Sequence, residues 1–74
     1  MSKNIEQILH IEDVKQNDVI IFNYVGKMER YIVQSIDQFS VRAISAEGKV
    51  SIRIFPVNNL ISDNWYIEKE NILH

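Results

Sequence analysis

The sequence predicts a mainly β domain, in which a short N-terminal helix precedes a five-stranded, strongly bent antiparallel sheet. The first observation is the run Val19–Tyr24 (VIIFNY), which is rich in sheet-forming residues and apolar on both faces. The second is a pair of alternating runs, 39–45 and 50–55, that flank a polar turn at 46–49. A strand that is apolar on both faces suits a bent sheet or small barrel better than a sheet edge.

A short helix is predicted at the N-terminus, over residues 4–10. Ile5, Ile8 and Leu9 have the i, i+3, i+4 spacing of an amphipathic helix, and Asn4 can cap its first turn. Two helical turns are marginally stable alone. We therefore expect the apolar stripe of this helix to pack against the sheet.

Five strands are predicted over residues 19–62, and residues 63–74 are predicted to form a C-terminal tail. Gly26 and Asp37 mark turns, since glycine adopts positive φ and aspartate hydrogen-bonds its own backbone. Pro56 ends the fourth strand because it lacks a backbone donor. No repeat or linker divides the 74 residues, so one domain is expected. The strands are 19–24, 30–36, 39–45, 50–55 and 58–62.

The third and fourth strands have a predictable register. Pairing Ser45 with Val50 places Arg42 directly opposite Arg53 on the polar face. Like charges in this position destabilise a sheet, so either solvent relieves them or the two arginines contact an anionic partner. The apolar pairs of the same register are Val41–Ile54 and Ala43–Ile52.

The composition bounds the location and the means of stabilisation. A chain of 74 residues has a small core, and such chains usually depend on disulfides, a metal or partner subunits. There is no cysteine, which indicates a reducing compartment, and His10 and His74 have no ligand-spaced partner, so no metal is expected. No apolar run could span a bilayer and no signal peptide is recognisable. The expectation is a cytoplasmic, self-associating protein without membrane contact.

Charge is unevenly distributed, although the formal net charge is only −2. Residues 27–53 contain five basic and three acidic side chains, and both flanking segments are acidic. This balance argues against promiscuous nucleic-acid binding, because neutralisation of phosphates supplies most of that affinity.

Catalysis is not expected. The sequence contains no Ser/His/Asp set, no cysteine nucleophile and no glycine-rich phosphate loop. A small barrel also has little room for a substrate pocket.

Several residues within this pattern match one known family. Ile21, Phe22 and Gly26 match its first strand and the turn that follows, and the run 35–39 (SIDQF) matches its next turn almost residue for residue. The spacing of DQF from the turn glycine is more specific than DQF alone. On these residues, and over 5–62 as a whole, the chain resembles Hfq and the bacterial Sm-like RNA-binding proteins, which implies an Sm-like, SH3-like small barrel.

The resemblance also implies a function. That family binds single-stranded RNA, with uridine-rich and adenine-rich sequences on opposite faces of a ring. Six subunits close the ring by pairing strand four of one copy with strand five of the next. A post-transcriptional regulator or RNA chaperone without a cofactor is therefore implied. The residues implied at the uridine site are Gln38, Phe39 and Phe55, and those implied on the adenine face are Phe22, Gly26, Lys27, Met28 and Arg30.

Three features depart from the family pattern. The family has Lys-His after a tyrosine, whereas this chain has Phe55-Pro56-Val57, so the uridine site lacks two polar contacts and is degenerate. Pro56 also cannot donate a hydrogen bond at the end of a strand that would pair between subunits. The rim at Glu12-Asp13 is acidic, where the family is rich in arginine.

These departures leave open a second interpretation, a protein-interaction module on the same fold, such as a divergent paralogue or an accessory protein of a mobile element. An exposed Trp65-Tyr66-Ile67 patch would suit a protein partner. Phe22 and Phe39 can equally be core aromatics. The residues that can be simple turn or solvated surface residues are Gln38, Lys27, Arg30, Arg42 and Arg53.

Overall fold

The computed structural model describes residues 3–70, and these form one antiparallel sheet of six strands. The sheet is open, with strand order β1-β6-β2-β3-β4-β5, so that β1 and β5 are its edges. The prediction of a mainly β domain is confirmed. Two short 3₁₀ turns connect strands, at Ile11–Asp13 and Val57–Leu60. The strands are β1 (Lys3–Gln7), β2 (Val19–Tyr24), β3 (Lys27–Ile36), β4 (Val41–Ser45), β5 (Ser51–Ile54) and β6 (Trp65–Glu70).

The core lies on one face of the sheet, where strands β2, β3, β4 and β6 meet the 3₁₀ turn Val57–Leu60. In β2, Ile20 and Ile21 are both 0 % exposed although they point to opposite faces, which confirms that this strand is buried on both sides. Among residues 3–70, twelve buried residues form the core cluster: Ile8, Val14, Ile20, Tyr31, Val33, Val41, Ala43, Ile54, Val57, Leu60, Trp65 and Ile67.

The hairpin of β4 and β5 has the predicted register. Arg42 pairs with Arg53, and the backbone N–H of Ser45 donates to Val50 at 2.7 Å. The buried Ser45 hydroxyl accepts from the backbone N–H groups of Lys49 and Val50, which closes the turn. The apolar pairs Val41–Ile54 and Ala43–Ile52 are also observed.

The β2–β3 hairpin turns over two residues, Val25 and Gly26, and Lys27 is already the first residue of β3. Both turn residues have positive φ, +52° and +80°. Such turns match the twist of a hairpin but favour asparagine or glycine. Val25 is β-branched and is therefore strained at a positive φ. Its side chain is 85 % exposed.

The predicted helix over residues 4–10 is wrong, because this segment begins with β1, which pairs with β6 over five residue pairs. The long edge of β6 satisfies the backbone groups of the segment, whereas two helical turns would carry the cost of nucleation. Of the predicted apolar stripe only Ile8 is buried, while Ile5 and Leu9 are exposed.

The predicted fifth strand, over 58–62, is also wrong. The segment Val57–Leu60 forms a 3₁₀ turn, in which the N–H of Asn59 donates to Pro56 and that of Ile61 to Asn58. Val57 and Leu60 are three residues apart, so this turn points both into the core.

The fifth strand of the predicted sheet is instead supplied by the segment expected to be a tail. Within 63–74, β6 occupies residues 65–70 and pairs with both β2 and β1. Trp65 and Ile67 are buried and Tyr66 is half-buried, so the expected apolar patch belongs to the core strand. The remainder of that tail, residues 71–74, lies outside the described residues.

Between residues 3 and 70, no helix has the length and apolar character needed to cross a membrane. The part of the chain that the structure describes holds no group of three or more His, Cys, Asp or Glu side chains that could hold a metal ion.

Candidate nucleic-acid interface

The turn between β3 and β4 presents Gln38 and Phe39 to solvent. Asp37 organises this turn, because its Oδ1 accepts the backbone N–H groups of Phe39 at 2.7 Å and Ser40 at 2.9 Å. The predicted hydrogen bonding of Asp37 to its own backbone is confirmed. Phe39 is 60 % exposed, so it is not one of the core aromatics.

These hydrogen bonds also affect the charge of the turn. The backbone N–H groups of Ser40 and Phe39 lower the pKa of Asp37 below its ordinary value, and the positive charges of Arg53 and Arg42 lower it further. Asp37 is therefore ionised at neutral pH.

A second exposed aromatic lies beside this turn. The backbone N–H of Val57 donates to the carbonyl of Phe39 at 2.8 Å, which joins the turn to the segment that follows β5. Phe55, two residues before Val57, is 61 % exposed. The guanidinium of Arg53 lies 5.3 Å from the centre of the Phe55 ring. Two exposed rings and a cation thus come from two adjacent backbone segments.

A groove of about 330 Å³ lies on the sheet face that carries the paired arginines. Arg42 and Arg53 are both exposed, and within residues 3–70 neither has a carboxylate at ion-pair distance. A β-bulge at Gln34 shifts the register between β3 and β4 and brings this amide to the groove. The groove is lined by Gln34, Arg42, Ser51, Ile52 and Arg53.

Gln38 lines a different groove, of about 300 Å³. Its walls come from the segment after β1 and from the 3₁₀ turn Val57–Leu60 and the residue after it. The groove is lined by Leu9, His10, Ile11, Glu12, Gln38, Val57, Asn58 and Ile61.

The residues implied on the adenine face do not form one surface. Phe22 is half-buried against the core, with its ring 4.8 Å from Trp65 and stacked at 6.1 Å on Tyr24. Arg30 forms an ion pair with Glu68 at 3.7 Å. The β2–β3 register places Phe22 and Lys27 on one face, and Met28 and Arg30 on the other.

Sequence reasoning missed Gln34 and the groove around Leu9, Asn58 and Ile61. The spacing of Val33 and Ile36 in the sequence is a signal for the bulge. Both pack on the core although they are three residues apart, whereas side chains on one face of a regular strand are two residues apart. The second groove has no comparable signal, since its walls come from segments nearly fifty residues apart in the sequence.

We compared the chain with family models, with curated proteins and with solved structures, and none of the three comparisons gave a significant match. The likeness to Hfq and the Sm-like proteins therefore depends on the residues quoted above, and no family can be assigned to this chain.

Proposed function

We propose that this protein binds single-stranded RNA, as a non-enzymatic module of the Hfq and Sm-like type that acts as a post-transcriptional regulator or RNA chaperone in the cytoplasm. The observation that carries the proposal is the arrangement of Arg53 over the exposed ring of Phe55, with Arg42 opposite Arg53 on the neighbouring strand. Proteins that bind single strands combine two elements, aromatic rings on which bases stack and positive charges that contact the phosphates. Both elements are present here, since neither arginine has a carboxylate at ion-pair distance within residues 3–70.

In the proposed mechanism, aromatic rings bind the bases and arginines bind the phosphates. One base stacks on Phe55 or Phe39, which contributes about 1–3 kcal/mol per base. Two neighbouring phosphates bind Arg42 and Arg53, one on each arginine, because planar guanidinium groups suit phosphate oxygens. Gln34 and Ser51 can donate further hydrogen bonds from the walls of the groove.

Two phosphate contacts are few, so the proposed affinity depends only modestly on salt. For single strands the logarithm of the binding constant falls by about 0.7 for each phosphate contact per tenfold increase in salt. Two arginines therefore give a slope of about −1.4. The segments on either side of residues 27–53 are acidic, so they repel further phosphates and a larger slope is not expected.

The Sm-like part of the proposal has support and one difficulty. Strands β2 to β5 follow one another in the sheet, and β6 returns to β2, so the chain from Val19 onward forms a five-stranded unit. The difficulty is that β1 covers the second edge of β6. A ring of six copies that used this edge would require β1 to leave, so we propose a site that is complete within one copy.

Binding of short fluorescent oligo(U) and oligo(A), measured by anisotropy at two salt concentrations, tests the proposal. We expect salt-sensitive micromolar or tighter binding that Arg53→Ala weakens. Lys49→Ala is the matched control, because it removes one exposed positive charge from outside the groove. Absence of binding at low salt, or an equal loss in both variants, would contradict the proposal.

A protein-interaction module is the second candidate, and the β2–β3 hairpin favours it. Tyr24, Val25 and Met28 are exposed apolar side chains at this hairpin, and Val25 is strained there. Strained residues often persist where they serve a contact. The Trp65-Tyr66-Ile67 segment no longer supports this candidate, since Trp65 and Ile67 are buried.

A further inference from the structure

The groove beside Gln38 has an apolar part and a polar part. The apolar part is formed by Leu9, which is 66 % exposed, by Ile61, which is also exposed, and by the buried Val57. The hydrogen bond from Val57 to Phe39 joins the groove to the turn that presents Gln38. A volume of about 300 Å³ is at the lower limit for small-ligand sites, so the groove suits a single planar ring.

Four polar side chains border the groove: His10, Glu12, Gln38 and Asn58. Within residues 3–70 none of these four side chains has an intramolecular hydrogen-bond partner. The neighbouring Asn59 differs, since its Nδ2 donates to the carbonyl of Phe55. The groove therefore offers two amides, one carboxylate and one imidazole to a ligand, beside apolar side chains.

This set of groups distinguishes among nucleobases. A side-chain amide can bond adenine through both its amino group and N7, and a carboxylate accepts from the exocyclic amine of cytosine. Uracil presents a carbonyl oxygen at the corresponding position, and a carboxylate repels it. We propose that this groove binds a nucleobase with an amine where uracil has its O4 oxygen, which means adenine or cytosine, in preference to uracil.

The inference rests on the proposed function and makes it more specific. A base in this groove and a base stacked on Phe39 would be neighbours, because Gln38 and Phe39 are consecutive in one turn. The preference is opposite to the uridine preference that the resemblance implies for Gln38. It follows from Glu12, which the folding of the 10–13 segment brings to the groove.

The test compares short oligo(A), oligo(C) and oligo(U) by fluorescence anisotropy with the wild type, Glu12→Gln and Gln38→Ala. One good base contact is equivalent to roughly tenfold in affinity, so we expect oligo(A) and oligo(C) to bind about tenfold more tightly than oligo(U). Glu12→Gln should remove this difference by improving oligo(U) binding, because its amide can donate to the uracil carbonyl. Gln38→Ala should weaken oligo(A) most.

Glu6→Gln is the matched control, since Glu6 is an exposed carboxylate on β1 outside the groove. If the wild type binds all three oligonucleotides equally, or prefers oligo(U), the groove proposal is overturned while RNA binding stands. An equal effect of Glu6→Gln and Glu12→Gln would also overturn it, by showing a general charge effect. If no oligonucleotide binds, the proposed function itself fails.

Discussion

The guanidinium of Arg53 covers the ring of Phe55, with 5.3 Å between its central carbon and the ring centre. At an exposed site this contact contributes about 0.5–1 kcal/mol. Its structural effect is to hold a cation and an aromatic ring together as one surface. Arg42, the strand partner of Arg53, adds a second positive charge. This surface has the chemical character of a contact for a nucleotide and its phosphate.

Phe55→Ala should lower RNA affinity without unfolding the protein. Loss of one stacked base corresponds to about 1–3 kcal/mol, or roughly 5- to 150-fold in affinity. The exposed ring contributes little to the core, so the free energy of unfolding should fall only by the loss of its contact with Arg53, about 0.5–1 kcal/mol. Anisotropy and urea unfolding measure the two effects. Phe55→Tyr is the control and should bind like the wild type; unchanged affinity of Phe55→Ala would exclude stacking at this ring.

The double variant Arg42→Ala/Arg53→Ala should reduce the dependence of RNA binding on salt. Each lost phosphate contact lowers the slope of log K against log salt by about 0.7, so the slope should fall by about 1.4. Anisotropy titrations over a salt series give the slope directly. A weaker affinity with the same slope would mean that these arginines do not contact phosphate.

Val25→Asn should stabilise the protein. A β-branched residue at φ +52° carries strain of order 1 kcal/mol, and asparagine adopts this conformation far more readily. We expect a gain of about 1 kcal/mol in urea unfolding with an unchanged m-value. Val25→Ala is the control, because it removes the side chain but keeps an unfavourable backbone. Equal stability of all three proteins would argue against strain at this turn.

The stability should decrease in acid through Asp37. The pKa of Asp37 is lowered in the folded state, chiefly by hydrogen bonds from the backbone N–H groups of Ser40 and Phe39. The stabilisation is therefore complete above the unfolded pKa of about 3.9 and is lost as the pH falls through the lower folded value. Urea unfolding from pH 6 downward measures this loss. Asp37→Asn should show a shallower decline below about pH 4, and an identical pH profile would contradict the assignment.

Removal of β1 should expose an edge that promotes self-association. The side chains of residues 4–7 are all exposed, so β1 contributes mainly backbone hydrogen bonds to β6. A chain that begins at Ile8 keeps the first core residue but leaves the edge of β6 unpaired, and unpaired edges bind other strands. We expect larger native masses for this variant than for the full chain at equal concentration. A monomeric truncated chain would show that the edge is not adhesive.

The sheet interior could be predicted because its determinants are local. The β4–β5 register depends on alternation and a turn within fifteen residues, and the sequence predicts it correctly. The segment from Asn4 to Leu9 is different, since its apolar spacing fits a helix while its observed partner, β6, lies some sixty residues further along the chain. No local pattern reveals that long-range pairing, and tertiary context overrides the helical spacing.

The candidate site was predictable in part for the same reason. The exposure of Phe39 depends on the Asp37 turn, which the sequence does predict, together with the position of β4. Phe22 lies in a similar sequence pattern, but its ring packs against Trp65. The sequence predicts a tail at Trp65, so this contact could not be predicted. The groove at Gln38 requires the 9–12 segment to meet the 57–61 segment, and that contact exists only in the folded chain.

The most direct test of RNA binding at this surface is a titration of isotope-labelled protein with a short single-stranded RNA, followed by backbone amide NMR signals. Binding at this surface should shift the signals of residues 37–42, 51–55 and 57 with increasing RNA, while those of the 24–28 hairpin stay in place. Shifts confined to the hairpin, or no shifts at low salt, would contradict it.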